Sequence, residues 1–154
     1  MQNNLILATY RVENKITLKK MAKILNVSLS TYKLYETGIV PMKLEELNTF
    51  CNYFNLSLNY LLNFTNIPNA DNFRTSIDYK YLKFSLRLFR RQAMITQKEL
   101  AKEFNVSIYS ISKYEKDAKH VSLNYLYLFA KKFKVSADYL CGKTLDRNFN
   151  IKKR

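Results

Sequence analysis

The chain repeats itself, and this internal repeat limits the possible folds more than any other feature of the sequence. A shift of 79 residues aligns Leu5–Leu62 with Phe84–Cys141 without a gap, and about a third of the paired positions are identical. The identical positions fall at helical spacing or at residues that begin helices. They include Asn26-Val27-Ser28 with Asn105-Val106-Ser107, and Tyr35-Glu36 with Tyr114-Glu115. This pattern predicts one small domain duplicated in tandem.

The segment Ile95–Glu115 has the build of two helices joined by a tight turn. Thr96 is placed to cap the first helix and Ser107 to cap the second, because a side-chain oxygen there accepts a free backbone N–H. Asn105 lies between them and tolerates the left-handed backbone of a sharp turn. The small residue Ala101 lets the two helices approach closely. The segment therefore predicts a helix-turn-helix.

Each copy is predicted to contain five short helices, and the fold class is all-α. Two glycines and two prolines in 154 residues leave little room for tight hairpins. The expected helices are 3–13, 18–25, 29–36, 43–54 and 57–62 in the first copy, and 80–93, 97–104, 108–115, 122–134 and 136–141 in the second. We expect domains at residues 1–64 and 79–143, a polar linker at 65–78 and a basic tail at 144–154.

The positive charge is concentrated in the second copy. The whole chain carries a formal net charge of +14. Residues 1–75 contain 8 Lys/Arg and 5 Asp/Glu, a net charge of +3, whereas residues 76–154 contain 18 and 7, a net charge of +11. A basic excess in one half of a chain indicates a polyanionic partner for that half.

The residue types exclude several functions. Cys51 and Cys141 lie far apart in apolar patterns, and His120 is the single histidine, so we expect buried thiols, no metal site and no cofactor. No catalytic triad, phosphate loop or paired carboxylates are evident, which predicts that the protein is not an enzyme and has no catalytic residues. No apolar run is long enough to span a membrane and no signal peptide is evident, so we expect a cytoplasmic protein.

These motifs resemble the Cro/CI, or XRE-type, family of bacterial and phage DNA-binding domains. The resemblance covers most of both copies and is carried by ITQKELAKEFNVS, by the ISKYE that follows, and by FKVSADYL. It implies two lambda-repressor-like helix-turn-helix domains of five helices each. It also implies structural ion pairs, with Arg11 meeting Glu36 and Arg90 meeting Glu115.

The resemblance implies that the third helix of each domain reads double-stranded DNA in the major groove. In the second domain the expected base contacts are Ile108, Tyr109, Ser110, Ser112 and Lys113. The expected phosphate contacts are Thr96, Gln97, Lys98, Ser107, Lys116, Lys119 and His120. The function it implies is a sequence-specific transcriptional regulator, expected to be a repressor, that acts on the nucleoid.

The first domain departs from this pattern and leaves alternatives open. Its corresponding positions are Thr17, Leu29, Ser30, Thr31, Lys33 and Leu34, and Leu18 replaces the glutamine that begins the second helix. Exposed leucines bury their surface best against protein. This face is therefore expected to contact either DNA or a protein partner. An antitoxin-like regulator or phage-type inhibitor, a homodimer and a pseudo-dimer within one chain all remain open.

Overall fold

The computed structural model describes residues 4–149, and its helices form two compact units, residues 4–71 and 72–149. The first unit contains α1 (Asn4–Glu13), α2 (Leu18–Ile24), α3 (Leu29–Thr37), α4 (Leu44–Phe54) and α5 (Leu58–Leu61). The second contains α6 (Tyr79–Gln92), α7 (Gln97–Phe104), α8 (Ile108–Lys116), α9 (Leu123–Phe133) and α10 (Ala137–Leu140). The predicted tandem all-α fold is confirmed, with boundaries that move by two residues or fewer.

The same capping chemistry begins corresponding helices in both units. Thr17 and Thr96 each accept the backbone N–H three residues ahead, as do Ser57 and Ser136. These bonds satisfy donors that the first turn of a helix leaves without a partner. Asn105 ends α7 with a φ of 52°, which is the left-handed turn expected from the sequence. Local sequence therefore sets the helix boundaries in each unit separately.

Each unit has its own apolar core, centred on its fourth helix. In the second unit Leu126 and Phe129 of α9 are fully buried, as are Leu86, Leu100 and Ile111 of the three preceding helices. Burying one such side chain contributes about 1.5–3 kcal/mol. In the first unit the fully buried set is Leu7, Met21, Tyr32, Leu47 and Phe50. In both units, one face of the third helix packs on the core and the opposite face is exposed to solvent.

The repeat continues in three dimensions beyond the stretch that sequence identity shows. The Ser57 N–H donates to the Pro68 carbonyl at 2.8 Å, and the Ser136 N–H donates to the Arg147 carbonyl at 2.9 Å. A shift of 79 residues converts the first donor and acceptor into the second. Asn63 and Gly142 are paired by the same shift, and both have a positive φ, of 63° and 71°. The left-handed turn at each of them precedes the segment that reaches Pro68 or Arg147.

The predicted linker and tail make hydrogen bonds within the units. Asn55 Nδ2 donates to Asp71 Oδ1 at 2.7 Å in the first unit, and the Arg74 N–H donates to the Lys143 carbonyl at 2.7 Å in the second. The Arg147 guanidinium lies 4.7 Å from the centre of the Phe89 ring. The basic end of the predicted tail, residues 150–154, lies outside the described residues. Between residues 4 and 149, no helix is long and apolar enough to cross a membrane.

Candidate nucleic-acid interface

Side-chain capping bonds define the starts of both α7 and α8. Thr96 Oγ1 accepts the Glu99 N–H at 3.1 Å, and Glu99 Oε2 accepts the Thr96 N–H at 2.8 Å, which completes a capping box. The Thr96 N–H and hydroxyl lower the pKa of the Glu99 carboxyl by stabilising its charge. Ser107 Oγ accepts the Ser110 N–H at 3.0 Å. The first turns of α7 and α8 are therefore both set by residues next to them in the sequence.

One side of α8 is exposed along its length. Ile111 and Glu115 point into the unit and are buried. Ile108 is 47% exposed and Tyr109 is 75% exposed. At about 100° per residue, positions 108, 109, 112, 113 and 116 share one arc of the helix. We call this set the reading arc: Ile108, Tyr109, Ser112, Lys113 and Lys116. Four of the five predicted base contacts lie on it.

Ser110, the fifth predicted base contact, lies at the edge of the reading arc and is half-buried. Its Oγ is 2.8 Å from Ser107 Oγ, so the two hydroxyls bond each other at the start of α8. Thr96 Oγ1 and Ser107 Oγ both accept capping N–H groups, and each hydroxyl still carries its own proton. Thr96, Ser107 and Lys98, all predicted phosphate contacts, are exposed.

The loop after α8 presents two further predicted phosphate contacts. Ala118–His120 form a single 3₁₀ turn, which Asp117 starts by accepting the Lys119 N–H at 3.0 Å. Lys119 and His120 are exposed, while Ala118 is buried and anchors the turn. The 3₁₀ turn thus holds two polar side chains in solvent directly after the reading arc.

The predicted ion pair of the second unit is buried. Arg90 donates through Nε and Nη2 to the two oxygens of Glu115, and Nη1 donates to the Ile95 carbonyl at 2.8 Å. Gln97 Nε2 donates to Glu115 Oε2 at 2.9 Å, so this predicted phosphate contact is half-buried and already bonded to the pair. Burial alone would raise the pKa of Glu115, but the hydrogen bonds from Arg90 and Gln97 outweigh it and lower that pKa.

The first unit contains the matching pair without the glutamine. Arg11 bonds both oxygens of Glu36 and donates to the Ile16 carbonyl at 2.9 Å. The side chains of Arg11 and Glu36 are 14% and 12% exposed, whereas those of Arg90 and Glu115 are 10% and 5% exposed. The residue that corresponds to Gln97 is Leu18. Both predicted ion pairs are therefore present, and the second is the better enclosed.

A small cavity of about 160 Å³ opens beside the second ion pair. Its lining includes Arg87 and Arg91, two residues that were not among the predicted DNA contacts, together with Ser112 and Lys116, which were. Arg87 and Arg91 are one helical turn apart at the end of α6, so they share a face. That spacing was visible in the sequence, but only the fold shows that this face borders α8.

The corresponding surface of the first unit is less charged. Leu29 and Leu34 are each slightly over one third exposed, but five residues along a helix place them about 140° apart. Exposed Ser30 and Lys33 lie between them. Thr17 caps α2, and Thr31 accepts a bond from the Ser28 hydroxyl at 2.7 Å. The two leucines border a polar strip rather than forming one apolar face.

Three exposed aliphatic residues do come close together at the end of α3. The Leu34 carbonyl accepts the Ile39 N–H at 3.1 Å and the Val40 N–H at 3.4 Å. These bonds hold the backbone of Ile39 and Val40 close to Leu34. Ile39 is 71% exposed and Val40 is 38% exposed. We call Leu34, Ile39 and Val40 the apolar patch. Its counterparts in the second unit are Lys113, Ala118 and Lys119, so this location is apolar in the first repeat and basic in the second.

Neither cysteine belongs to the interface. Cys51 and Cys141 are buried and are not linked by a disulfide, and burial raises the pKa of the Cys141 thiol. Among residues 4–149, no group of three or more His, Cys, Asp or Glu side chains is placed to hold a metal ion.

A helix-turn-helix family model matches the chain twice, at residues 7–61 and 86–140. Each match runs from the first helix of a unit to its last helix. The second match begins and ends 79 residues after the first. No curated protein and no solved structure matches the chain.

Proposed function

The chain belongs to the XRE-type helix-turn-helix family of DNA-binding domains, and on this premise we propose that it is a sequence-specific transcriptional repressor that reads double-stranded DNA with α8. The observation that carries the proposal is the reading arc. It exposes one aromatic, one aliphatic and two cationic side chains on a helix whose opposite side is locked into the core. A helix of this diameter fits the major groove.

Four members of the reading arc have chemistry that suits a base edge. Lys113 donates to the O6 and N7 acceptors of guanine, and Ile108 packs against a thymine methyl. Tyr109 carries a hydroxyl on its highly exposed ring and donates to a base or to the backbone. Ser112 completes the set with a short hydroxyl. These contacts specify sequence, because phosphates carry no base identity.

Phosphate contacts around the arc would set the orientation of α8. Lys98 lies in the first turn of α7, Lys116 is the last member of the reading arc, and Lys119 lies in the 3₁₀ turn after it. The free N–H groups at the start of α7 add positive potential to the same edge. Binding in this orientation would exclude polymerase from an overlapping promoter. The proposed setting is the nucleoid, in the cytoplasm, and the proposal requires neither a cofactor nor a catalytic residue.

Selection from a random duplex library, followed by footprinting, tests the reading arc. Tyr109→Ala with Lys113→Ala is expected to abolish the preferred motif while leaving the thermal unfolding midpoint unchanged, because both side chains are in solvent. The matched control changes the corresponding residues of the first repeat, Ser30→Ala with Leu34→Ala, and should keep the motif. An unchanged footprint in the first variant would exclude α8 as the reader.

A second candidate function is supported by the apolar patch. The patch consists of three exposed aliphatic residues, and the second unit carries two lysines at the same location. An apolar surface of this kind favours a protein partner over a polyanion. In this alternative the first domain is a protein-binding module, as in an antitoxin-like regulator or a phage-type inhibitor, or it pairs with another copy of the chain.

Light scattering of the purified chain tests this alternative. Leu34→Asp with Ile39→Asp should lower the molecular mass if the apolar patch joins two copies. Ile108→Asp, at the position in the second repeat that corresponds to Leu29, is the control and should leave the mass unchanged. If the mass and every activity survive the first variant, the apolar patch is not a partner site.

A further inference from the structure

The first unit carries a group of aromatic rings that remains partly in solvent. We call it the aromatic cluster: Tyr10 of α1, Tyr53 and Phe54 of α4, and Tyr60 of α5. The Phe54 ring centre lies 5.6 Å from that of Tyr10 and 4.9 Å from that of Tyr53. The ring centres of Tyr10 and Tyr60 are 6.4 Å apart. Tyr53 is 48% exposed and the other three rings are half-buried, and grouped exposed aromatic rings are typical of binding sites.

The second unit contains the corresponding rings, and there a cation of the same unit covers them. Phe89 and Phe133 take the places of Tyr10 and Phe54, with ring centres 6.0 Å apart. The Arg147 guanidinium lies 4.7 Å from the centre of the Phe89 ring, and Phe89 is only 8% exposed. A guanidinium at this distance is attracted by the negative face of the ring. The second unit therefore shows which chemistry covers this arrangement of rings.

The first unit keeps the same backbone hydrogen bond at this location but has no cation there. Pro68 corresponds to Arg147, and its carbonyl accepts the Ser57 N–H at 2.8 Å, as the Arg147 carbonyl accepts the matching N–H at 2.9 Å. Tyr53 corresponds to Lys132, whose Nζ lies 5.8 Å from the next ring of the second unit. Uncharged side chains thus replace both cations, so the aromatic cluster has the ring faces without the charges that cover them in the other repeat.

A negative charge borders the aromatic cluster. Glu13 follows Tyr10 by three residues on α1, so the two side chains are neighbours. It is exposed and forms no ion pair with any residue from 4 to 149, and its counterpart in the second unit is the neutral Gln92. Burial raises the pKa of Tyr10 to about 12, and the charge of Glu13 adds to that rise, so the ring is neutral at pH 7. Neutral rings beside a carboxylate suit a cation and disfavour a phosphate.

We propose that the aromatic cluster binds an arginine side chain of a protein partner, held over the rings as Arg147 is in the second unit and paired with Glu13. The inference goes beyond the proposed function, because the site lies on α1, α4 and α5 and shares no residue with the reading arc or the apolar patch. Arginine fits better than lysine, since its planar guanidinium stacks on aromatic rings and is less strongly hydrated than an ammonium.

The first experiment uses the full-length chain and a model peptide, acetyl-glycyl-arginyl-glycine amide, with the tyrosine ring signals followed by NMR. The peptide should shift the signals of Tyr10 and Tyr53 in a saturable way. A matched peptide with citrulline in place of arginine has nearly the same shape without the charge. It should bind more weakly by at least about 2- to 5-fold, which is the contribution of one exposed cation–π contact.

Two substitutions exchange the covering cation between the units. Pro68→Arg supplies a guanidinium at the position of Arg147 and should abolish peptide binding at the aromatic cluster, whereas Pro68→Gln, with a long neutral side chain, should retain it. Arg147→Ala uncovers Phe89 and should let the peptide shift the signals of that ring. Lys102→Ala removes an exposed cation that lies over no ring of the described chain, and should create no new site.

Several results would overturn the proposal. Unchanged tyrosine signals with the arginine peptide would do so, as would equal effects of the arginine and citrulline peptides. Equal losses in Pro68→Arg and Pro68→Gln would mean that the site does not select a cation. If adenosine monophosphate shifts the signals and the arginine peptide does not, the aromatic cluster stacks nucleic-acid bases instead. If the peptide binds only after Lys152, Lys153 and Arg154 are changed to Gln, the occupant is the chain's own basic tail and not a partner.

Discussion

Replacing Arg90 by alanine is expected to destabilise the second unit strongly. The substitution leaves Glu115 with a side chain that is 5% exposed, without its cation and with Gln97 as its remaining side-chain donor. Breaking a buried ion pair by removing one partner costs about 3–5 kcal/mol, because a charge stays buried without compensation. We take about 3 kcal/mol, since Gln97 and the neighbouring Arg87 retain part of the stabilisation. For a unit of this size that corresponds to a fall of about 12–24 °C in unfolding midpoint.

The assay is thermal unfolding followed by circular dichroism, with hydrogen exchange read by mass spectrometry to assign the transition to residues 72–149. Arg11→Ala is the matched change in the first unit and should cost about 2 kcal/mol, because Glu36 is more exposed and regains water more easily. Arg90→Met with Glu115→Leu removes both charges and should remain within about 1 kcal/mol of wild type.

Two results would refute this reasoning. A loss of less than about 1 kcal/mol in Arg90→Ala would mean that Glu115 is hydrated in solution and that the pair behaves as a surface pair. A double variant as unstable as the single one would mean that the cost comes from lost packing around the arginine stem rather than from an unpaired charge.

Three further outcomes follow from particular residues. The pKa of Glu115 is lowered below its ordinary 4.5, so the stability that its ionised form contributes is complete above pH 4.5 and is lost as the pH falls through the depressed pKa. Urea titrations at decreasing pH should therefore show a falling free energy of unfolding for the second unit. Glu115→Gln should remove this acid-dependent part of the loss. Gly142→Ala should cost about 2 kcal/mol in thermal unfolding, because φ is +71° and the new Cβ would lie 2.9 Å from Asp78 Cβ. Ser107→Ala removes the cap of α8 and should lower stability by about 1 kcal/mol, whereas Ser107→Asp should restore it.

Sequence patterns predicted the helices closely because the signals for them are local. A capping threonine or serine and the backbone N–H it binds are three residues apart, so Thr96 and Ser107 mark the starts of α7 and α8 without any tertiary information. The turn at Asn105 is equally local, since the backbone angle of one residue produces it. The 79-residue repeat then extended each inference from one unit to the other.

The 3₁₀ turn at Ala118–His120 could not be predicted in this way. Gly38 ends α3 with a left-handed residue at φ 75°, but the corresponding residue is Asp117, whose φ is −151°. The repeat therefore fails at this loop, and sequence comparison of the copies was no guide to its shape. The extension of the repeat to Pro68 and Arg147 was missed because backbone carbonyls, which any residue supplies, make those bonds.

The sequence alone determined that this chain is a tandem pair of small helical domains, that the second is strongly basic, and that one arc of α8 carries side chains suited to DNA. The duplication is visible as a 79-residue repeat, and the other two features depend only on residue type and short spacing. The tertiary structure alone decided that Gln97 bonds Glu115 and that Arg87 and Arg91 face α8 across a cavity. Those relations join residues of different helices, so their geometry is settled only when the helices of one unit pack together.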